Sequence, residues 1–439
     1  MRVQNTLDIA FIAGITFALL LGEKVVYLVL VAGIIPIPFL LKNNIRLKMK
    51  ASKYRIIIPS TIYFGYNLLT YFFFTGLEPE KQRPVNPDLE LYVIGIAILV
   101  ASIVRGLLTK DLAQRFALVT PWALLASFLF LGALFTTHLP IEGCVRVQGA
   151  AAWPFIPALI FTTLSMLSLT GWREMSIRQR NLRLLVVSLS IVVVTILTAS
   201  RGIAIAQVIA LGCFLIFGSI PKFRSSMPSW RQLGSAIALG ILLATSIGLS
   251  TGCGMRMISV FSVIPLLKPA ATEAVTSSPV LPAGMKENPR GQDFDVQEIK
   301  KKDLSAGERF EMWETAIDAI RQAPLFGHGS LYLQPLITER YGYQHNHNQY
   351  LSWLVMGGVI SLVIGLVFLS IPWLISAGLS IPDRITITLS VSVFWGMAMM
   401  FDSYFNLKFY THYYCFLVGI IYVIVNDILV KRDNIENRA

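Results

Sequence analysis

The sequence predicts an all-α polytopic membrane protein, and two observations lead to this prediction: the composition of the chain and the repeated length of its apolar runs. Of the 439 residues, 55% are hydrophobic and only 14% are charged, which is too few charges for one large soluble domain. Apolar runs near the roughly 20 residues that cross a bilayer recur along the chain. Because backbone groups in hydrocarbon must bond to one another, we expect these runs to be helices.

We place about twelve transmembrane helices, two of them in each of the tight pairs 7–41 and 184–220. In chain order the predicted spans are 7–22, 24–41, 56–75, 91–105, 116–136, 150–171, 184–199, 202–220, 233–252, 349–375, 385–401 and 411–428. This pattern divides the chain into an N-terminal bundle of about nine helices (1–252), a large loop region (253–347) and a C-terminal bundle of about three helices (348–439). The first run meets Glu23-Lys24 without a small-residue cleavage pattern, so we do not expect a removable signal peptide.

The basic residues predict the orientation of the bundle, because Lys and Arg near span ends resist translocation. One set of short loops holds most of them: Lys42, Arg46, Lys48, Lys50, Lys53, Arg55, Arg105, Lys110, Arg115, Arg173, Arg178, Arg180, Arg183, Lys222, Arg224 and Arg231. The opposite set holds few: Lys24, Lys81, Arg83, Arg146 and Lys408. Both termini are therefore expected in the cytoplasm and the loop 253–347 outside it. The net charge of +12 is then mostly a topology signal; it implies contact with the lipid bilayer and requires no nucleic-acid partner.

The large loop has two parts of different character. Residues 268–300 are rich in Pro, Ala, Ser and Gly, which predicts irregular structure. Residues 307–323 place Phe310, Trp313, Ile317 and Ile320 on one helical face, so this stretch is predicted to be an amphipathic helix against the bundle. Pro324 ends the helix, and the Gly-His-Gly sequence at 327–329 predicts a turn.

The four cysteines, Cys144, Cys213, Cys253 and Cys415, lack the spacing of a metal site. Cys144 and Cys253 both fall on the predicted outer face, where they could form a disulfide bond in an oxidising compartment or remain free thiols. The chain has no internal repeat that would favour an inverted-repeat transporter.

The strongest chemical signal is the pair His345 and His347, set between Asn346 and Asn348 just before the span that begins near Gln349. Imidazole takes and returns a proton near neutral pH. Asn348 can cap the following helix, whose free amide donors and partial positive charge would suit a phosphate. Alternatively, these polar residues only cap a helix. A two-histidine metal site is disfavoured because no carboxylate is tied to the pair by sequence spacing.

Two arginines are the other candidates. Arg201 lies between two apolar spans with almost no loop, where a guanidinium must pair with an anion or snorkel to the interface. Arg309 lies on the amphipathic helix and is either an ordinary solvated charge or an anion ligand. Arginine suits diphosphate oxygens because its planar fork donates two charge-assisted hydrogen bonds.

The order and spacing of these residues resemble the shared membrane region of O-antigen ligases (WaaL) and O-antigen polymerases. The resemblance lies in an arginine between neighbouring spans and in four later motifs: Thr198-x-x-Arg201, Gly307-x-Arg309-x-x-x-Trp313, Pro324-x-x-Gly327-x-Gly329, His345-x-His347-Asn348-x-x-Leu351 and Gly357-Gly358. These motifs cover about 160 residues, and the layout of about twelve spans with a large late loop extends along the whole chain.

The resemblance implies an inverting glycosyltransferase of the C type that uses neither a metal nor another cofactor. Its donor would be a polysaccharide on undecaprenyl diphosphate and its acceptor a sugar hydroxyl of lipid A-core oligosaccharide, at the periplasmic face of a bacterial inner membrane. It further implies that His347 is the general base and that Arg201 and Arg309 bind the diphosphate. His345 would orient the base or contact the donor phosphate, with Asn348 supporting it. Asp402 would orient a histidine or an arginine, or else pair with Lys408.

Two alternatives stay open. An O-antigen polymerase of the same superfamily would share these motifs. A membrane transporter or flippase, a different class, would also have about twelve spans and an intramembrane arginine. The missing repeat, the few acidic residues within spans and the polar residues on one face argue against a transporter.

Overall fold

The computed structural model of the protein describes residues 54–75, 87–108, 111–137, 155–251, 304–329, 332–343 and 345–436. The two predicted spans before residue 54, the Pro- and Gly-rich half of the large loop, and Cys144 and Cys253 lie outside the described residues. Within the described ranges the chain is helical and contains no β-strand, which confirms the predicted fold class. The predicted boundaries of the three regions, at 252 and 347, stay predictions.

The α-helices, in chain order, are α1 (Tyr54–Thr75), α2 (Pro87–Leu108), α3 (Leu112–Thr137), α4 (Phe155–Leu167), α5 (Ile177–Val192), α6 (Arg201–Ser219), α7 (Trp230–Thr251), α8 (Leu304–Gln322), α9 (Leu333–Tyr341), α10 (Gln349–Leu369), α11 (Ile371–Ile375), α12 (Ile381–Thr388), α13 (Phe394–Ala398) and α14 (Lys408–Glu436). Among the described residues, six helices are long and apolar enough to cross a membrane. The chain is therefore a multi-pass membrane protein.

Each predicted span after residue 54 falls on a helix, although several are divided. The span predicted at 385–401 comprises α12, a π-helical turn at Leu389–Val393, and α13. The tight pair predicted at 184–220 is confirmed as two helices. A π-helical turn at Val193–Leu197 ends the first of them, and the Thr198 hydroxyl donates to the Val193 carbonyl at 3.0 Å. Ala199 then adopts a positive φ of 45°, which starts the chain in a new direction before Arg201.

The amphipathic helix of the large loop is present as α8, but its buried face differs from the predicted one. Met312, Ala316 and Ala319 are the buried residues, and Ile317, which the periodicity placed inside, is 39% exposed. These three residues belong to a small core shared with Leu333, Ile337 and Val355. Alanine contributes little to a hydrophobic pattern, although its small side chain allows helices to approach closely. The periodicity therefore predicted that the face with the larger apolar side chains is buried.

The α10 helix is interrupted at Gly357 and Gly358, whose backbone is not helical. The turn that follows α8 docks on this interruption. His328 and Gly329 donate their amide protons to the carbonyls of Val355 and Met356 at 2.7 and 2.8 Å, and Val359 donates to the carbonyl of Pro324 at 2.9 Å. The interrupted helix therefore recovers hydrogen-bond partners from the turn, as a buried backbone requires.

A cluster of buried aromatic rings packs where α10, α13 and α14 meet. It contains Trp353, Phe368, Trp395, Phe405 and Tyr414. Such large rings bury much apolar surface, so they contribute strongly to the stability of this part of the core.

Contacts at one end of the bundle join segments that the basic residues place in the cytoplasm. Lys431 pairs with Asp111 at 2.7 Å, and the Gly171 amide donates to Asp383 at 2.9 Å. Residues predicted to lie outside the cytoplasm meet at the opposite end, where the Gln349 amide donates to the Met399 carbonyl at 2.9 Å. The described structure thus separates the two predicted sets of loops to two ends of the bundle.

Candidate functional site

The segment 345–348 and the segment after α13 form a polar site at that second end of the bundle. Asn348 caps α10, as predicted, and its side-chain oxygen accepts from the amides of Tyr350 and Leu351 at 3.0 and 3.1 Å. With the Gln349 amide bonded to Met399, the first turn of α10 has no free donors for a phosphate. The expectation of free amides at this helix end is therefore wrong, because the chain supplies its own acceptors.

Asn346 is the centre of the hydrogen bonds that shape this segment. It is fully buried, and its side-chain oxygen accepts from the Ser352 hydroxyl at 2.8 Å and from the Ser403 hydroxyl at 3.1 Å. Its backbone carbonyl accepts from the Trp313 indole at 2.9 Å, which ties α8 to the site. The same residue thus connects α8, α10 and the segment after α13.

His347 is held against Asp402. Its Nδ1 atom lies 3.3 Å from Oδ1 of Asp402, and its side chain is 16% exposed. Because an ionised carboxylate can only accept, Nδ1 must carry the proton in this contact and Nε2 then carries the free lone pair. The arrangement can therefore present Nε2 as a base while Asp402 stabilises the imidazolium that forms.

His345 approaches the same carboxylate oxygen, with 3.5 Å between Nδ1 and Oδ1 of Asp402. The two imidazole rings contact each other edge to face, 4.4 Å between centroids. Burial lowers the pKa of His345 to about 4, and the charges of His347 and Arg309 act in the same direction, whereas Asp402 opposes them. His345 is therefore neutral near pH 7.

Asp402 lies among groups that favour its ionised form. Burial alone would raise its pKa, but the hydrogen bond from His347 and the positive charge of its neighbours, Arg309 among them, hold the pKa below its usual value. The Ser403 amide also donates to Oδ1 at 2.8 Å. The alternative pairing with Lys408 concerns a side chain outside the described residues.

The structure also brings the helices that carry both arginines towards this site. The positive charge of Arg309 lowers the pKa values of both His345 and Asp402, so this arginine on α8 lies close enough to act on them electrostatically. Arg201 begins α6, and a Cβ on the next residue, Gly202, would collide with the Phe401 side chain. The first turn of α6 thus packs directly on the residue that precedes Asp402. Ser200 makes no side-chain cap there, so this helix end offers partial positive charge beside Arg201.

The donor atoms of His345, His347 and Asp402 lie within 4.8 Å of one another, a set that could hold a metal ion. The absence of a carboxylate near the pair in sequence therefore does not argue against a metal, since the fold supplies one from 55 residues away. The site does offer cationic groups that can serve a diphosphate without a metal, namely Arg309 and Arg201. The expected absence of a metal stays a prediction.

Sequence reasoning passed over several residues of the site. Ser352, Ser403 and Tyr343 carried no motif, yet Tyr343 contacts the His347 ring edge to face and donates to Glu308 at 2.8 Å. A signal existed for Ser352, since Gln349 and Ser352 are polar residues one turn apart at the start of an apolar span. Ser403 gave none, because its role depends on a contact between distant segments.

Comparison with known proteins agrees with these motifs. Residues 185–366 match the family described as O-antigen ligase, a stretch that runs from α5 through the interruption of α10. An uncharacterized protein of Haemophilus influenzae is 36% identical over 80 residues, which amount to 15% of this chain and 20% of that protein. The match thus spans about a fifth of the relative's length. On the family match, residues 185–366 of this multi-pass membrane protein are similar to the O-antigen ligase family.

Proposed function

We propose that the protein is an O-antigen ligase. It transfers a polysaccharide from undecaprenyl diphosphate to a sugar hydroxyl of lipid A-core oligosaccharide, at the periplasmic face of a bacterial inner membrane. The observation that carries the proposal is the contact between His347 and Asp402, within the electrostatic influence of Arg309. Both His347 and Arg309 belong to the stretch that matches the O-antigen ligase family.

In the proposed reaction, Nε2 of His347 removes the proton from the acceptor hydroxyl. The oxygen attacks the anomeric carbon of the donor from the side opposite the diphosphate, so a C–O bond to the acceptor forms as the C–O bond to phosphate breaks, with inversion. A positioned base of this kind contributes about 100- to 10,000-fold to the rate. Asp402 stabilises the imidazolium, whose proton then passes to solvent or to the departing diphosphate.

Arg309 and Arg201 neutralise the negative charge that grows on the diphosphate as it leaves. Fixed cationic donors next to developing charge are among the largest contributions to catalysis, because they need not reorganise during the reaction. The uncapped first turn of α6 adds partial positive charge beside Arg201. His345, neutral and adjacent to both His347 and Asp402, supports the orientation of the base.

The test is transfer by the purified protein in proteoliposomes supplied with lipid-linked polysaccharide, lipid A-core, both or neither. A ligase produces a ladder of lipid A-core carrying polysaccharide only when both substrates are present. Longer chains on the lipid-linked donor without any acceptor would identify an O-antigen polymerase instead. Movement of intact donor across the membrane without a product would identify a transporter and reject glycosyl transfer.

A further inference from the structure

The turn that follows α8, residues 324–329, is fixed against the middle of α10 rather than against its outer end. Three backbone hydrogen bonds hold it on the interruption at Gly357 and Gly358. Glycine is required on both sides: Gly327 and Gly358 have positive φ angles of 66° and 64°, and a Cβ on either would collide with the opposite backbone. The position of the turn along α10 is therefore set by backbone contact.

Distances along two helices, α10 and α1, give the same depth for this turn below the ends of these helices. From Gln349, beside the polar site, to Gly358 the α10 helix rises about 13 Å at about 1.5 Å per residue. Tyr66 of α1 donates to the Gly357 carbonyl at 3.0 Å, and it lies equally far, about 13 Å, from the end of α1 at Thr75. A hydrocarbon layer is about 30 Å thick, so a position this far below the ends of two spans lies within the membrane.

The exposed side chains along α8 change in character towards the turn. Near the polar site Glu314 is exposed, and one turn further the half-exposed Asp318 pairs with Arg321 at 3.2 Å. At the turn itself Leu325 and Phe326 are 59% and 66% exposed. Apart from Ile317, which is 39% exposed, the exposed charged and apolar side chains thus run from acidic to basic to apolar. This is the order of environments from water through the phosphate headgroups to the acyl chains. Arg321 is long enough to extend its guanidinium back to the headgroups.

Irregular backbone is tolerated at membrane depth only where protein groups satisfy it. The amides of His328 and Gly329 and the carbonyl of Pro324 meet this condition through α10. The turn therefore exposes the Leu325 and Phe326 side chains while its docked backbone faces protein.

We infer that residues 324–329 form a re-entrant turn whose Leu325 and Phe326 side chains insert among the acyl chains of the leaflet next to the active site. This insertion anchors the C-terminal end of α8 in the membrane. Because the Trp313 indole joins the same helix to Asn346, the anchor also restrains the position of Arg309 relative to His347. The inference rests on depth, exposure and backbone contacts and does not depend on the reaction catalysed.

The experiment uses full-length protein in proteoliposomes, with the four native cysteines replaced and an environment-sensitive fluorophore attached to Phe326→Cys. Leu325→Cys provides a second position if the first variant does not fold. We expect blue-shifted emission that falls in vesicles made with brominated lipid and does not change with aqueous iodide. The matched control is Glu339→Cys on α9, an exposed polar position that iodide should quench and brominated lipid should not.

Two outcomes would overturn the inference. Quenching of the Phe326 label by iodide to the same extent as the control would place the turn in water. Quenching by neither agent would mean that protein, such as a second copy of the chain, covers Leu325 and Phe326.

Discussion

His347 adopts a backbone conformation that few residues other than glycine use, with a φ of 53°. Such a conformation costs about 1–3 kcal/mol and persists only where the surroundings enforce it. Here Asn346, on one side, is held by two serine hydroxyls, and Asn348, on the other, is fixed as the cap of α10. The strained residue is the one whose Nδ1 contacts Asp402, which is the pattern expected of a residue positioned for chemistry.

The first prediction concerns the base. His347→Ala should lower the rate of glycan transfer by about 100- to 10,000-fold, because the acceptor hydroxyl loses its proton acceptor. His345→Ala should have a smaller effect, since the His347–Asp402 contact can persist without it. Initial rates are measured on equal amounts of protein that elutes as a single peak in detergent. A His347→Ala enzyme with the wild-type rate would exclude this residue as the base.

The second prediction concerns the diphosphate. Arg309→Ala and Arg201→Ala should weaken use of the lipid-linked donor, and the lysine variants should recover only part of it because an ammonium lacks the bidentate fork. In the proposed reaction these side chains take the place of a metal, so transfer by the wild-type protein should continue in EDTA. Loss of activity in EDTA with recovery in magnesium would instead show that an ion is required.

The third prediction concerns pH. His345 faces Asp402, His347 and Arg309, and its pKa falls from 6.5 to about 4 in the folded protein. Between these two values the unfolded chain binds a proton that the folded chain does not. His345 therefore stabilises the fold above pH 6.5, and this contribution decreases as the pH falls, by at most about 1.4 kcal/mol per pH unit.

The measurement for the third prediction is the unfolding temperature at pH 7 and pH 5 in detergent. His345→Gln, which cannot titrate, should lose less stability than the wild type over this interval. An equal loss in both proteins would assign the pH dependence to other groups.

At the residue scale the sequence located His345, His347 and Asn348 because they occur together before a span, and it left Asp402 as a weaker candidate. The structure brings Asp402 to within 3.5 Å of both histidines. No local pattern predicts this contact, because it depends on how α13 packs beside α10. Ser403 was missed for the same reason.

At the scale of helices, the interruption of α10 is the element that arranges the site. It allows the turn after α8 to dock by backbone hydrogen bonds, which brings Trp313 within reach of Asn346. The sequence indicated a turn at Gly327-His-Gly329 and contained Gly357-Gly358, but it could not show that these glycines face each other. The predicted bounds of α8 lie within a few residues of the observed ones. The predicted buried face of α8 is wrong, because small buried alanines contribute little to hydrophobic periodicity.

The fourth prediction follows from this contact. Gly358 has φ and ψ of 64° and −158°, a region open almost only to glycine. Gly358→Ala should therefore destabilise the protein by at least about 1–3 kcal/mol, with a lower unfolding temperature followed by tryptophan fluorescence. Gly212→Ala is the control, because a Cβ there meets nothing within 4 Å inside the regular helix α6. It should leave stability unchanged or raise it by up to about 1 kcal/mol. Equal effects of the two substitutions would contradict the docking of the turn.

At the scale of the whole molecule, the sequence predicted a helical multi-pass protein from its composition and from the length of its apolar runs, and this is confirmed. The length of an apolar run predicts helices well in a bilayer because hydrocarbon permits few other backbones. It does not predict π-helical turns such as Val193–Leu197 or the division of the 385–401 span, since these arise from packing. The segregation of basic loops to one end agrees with the contacts of the described residues, whereas the compartment that each end faces stays a prediction.

The central claim is that Arg201, Arg309, His345, His347 and Asp402 share a face that meets the lipid-linked donor outside the cytoplasm. The direct measurement is labelling of single cysteines with a membrane-impermeant thiol reagent in cells whose inner membrane is intact. Two exposed positions suit it: Glu339→Cys on α9, near the site, and Ser225→Cys between α6 and α7, at the opposite end. We expect the reagent to label Glu339→Cys in intact cells and Ser225→Cys only after the membrane is disrupted. The reverse pattern would place both histidines in the cytoplasm, contradict a periplasmic glycosyltransferase and favour the transporter alternative.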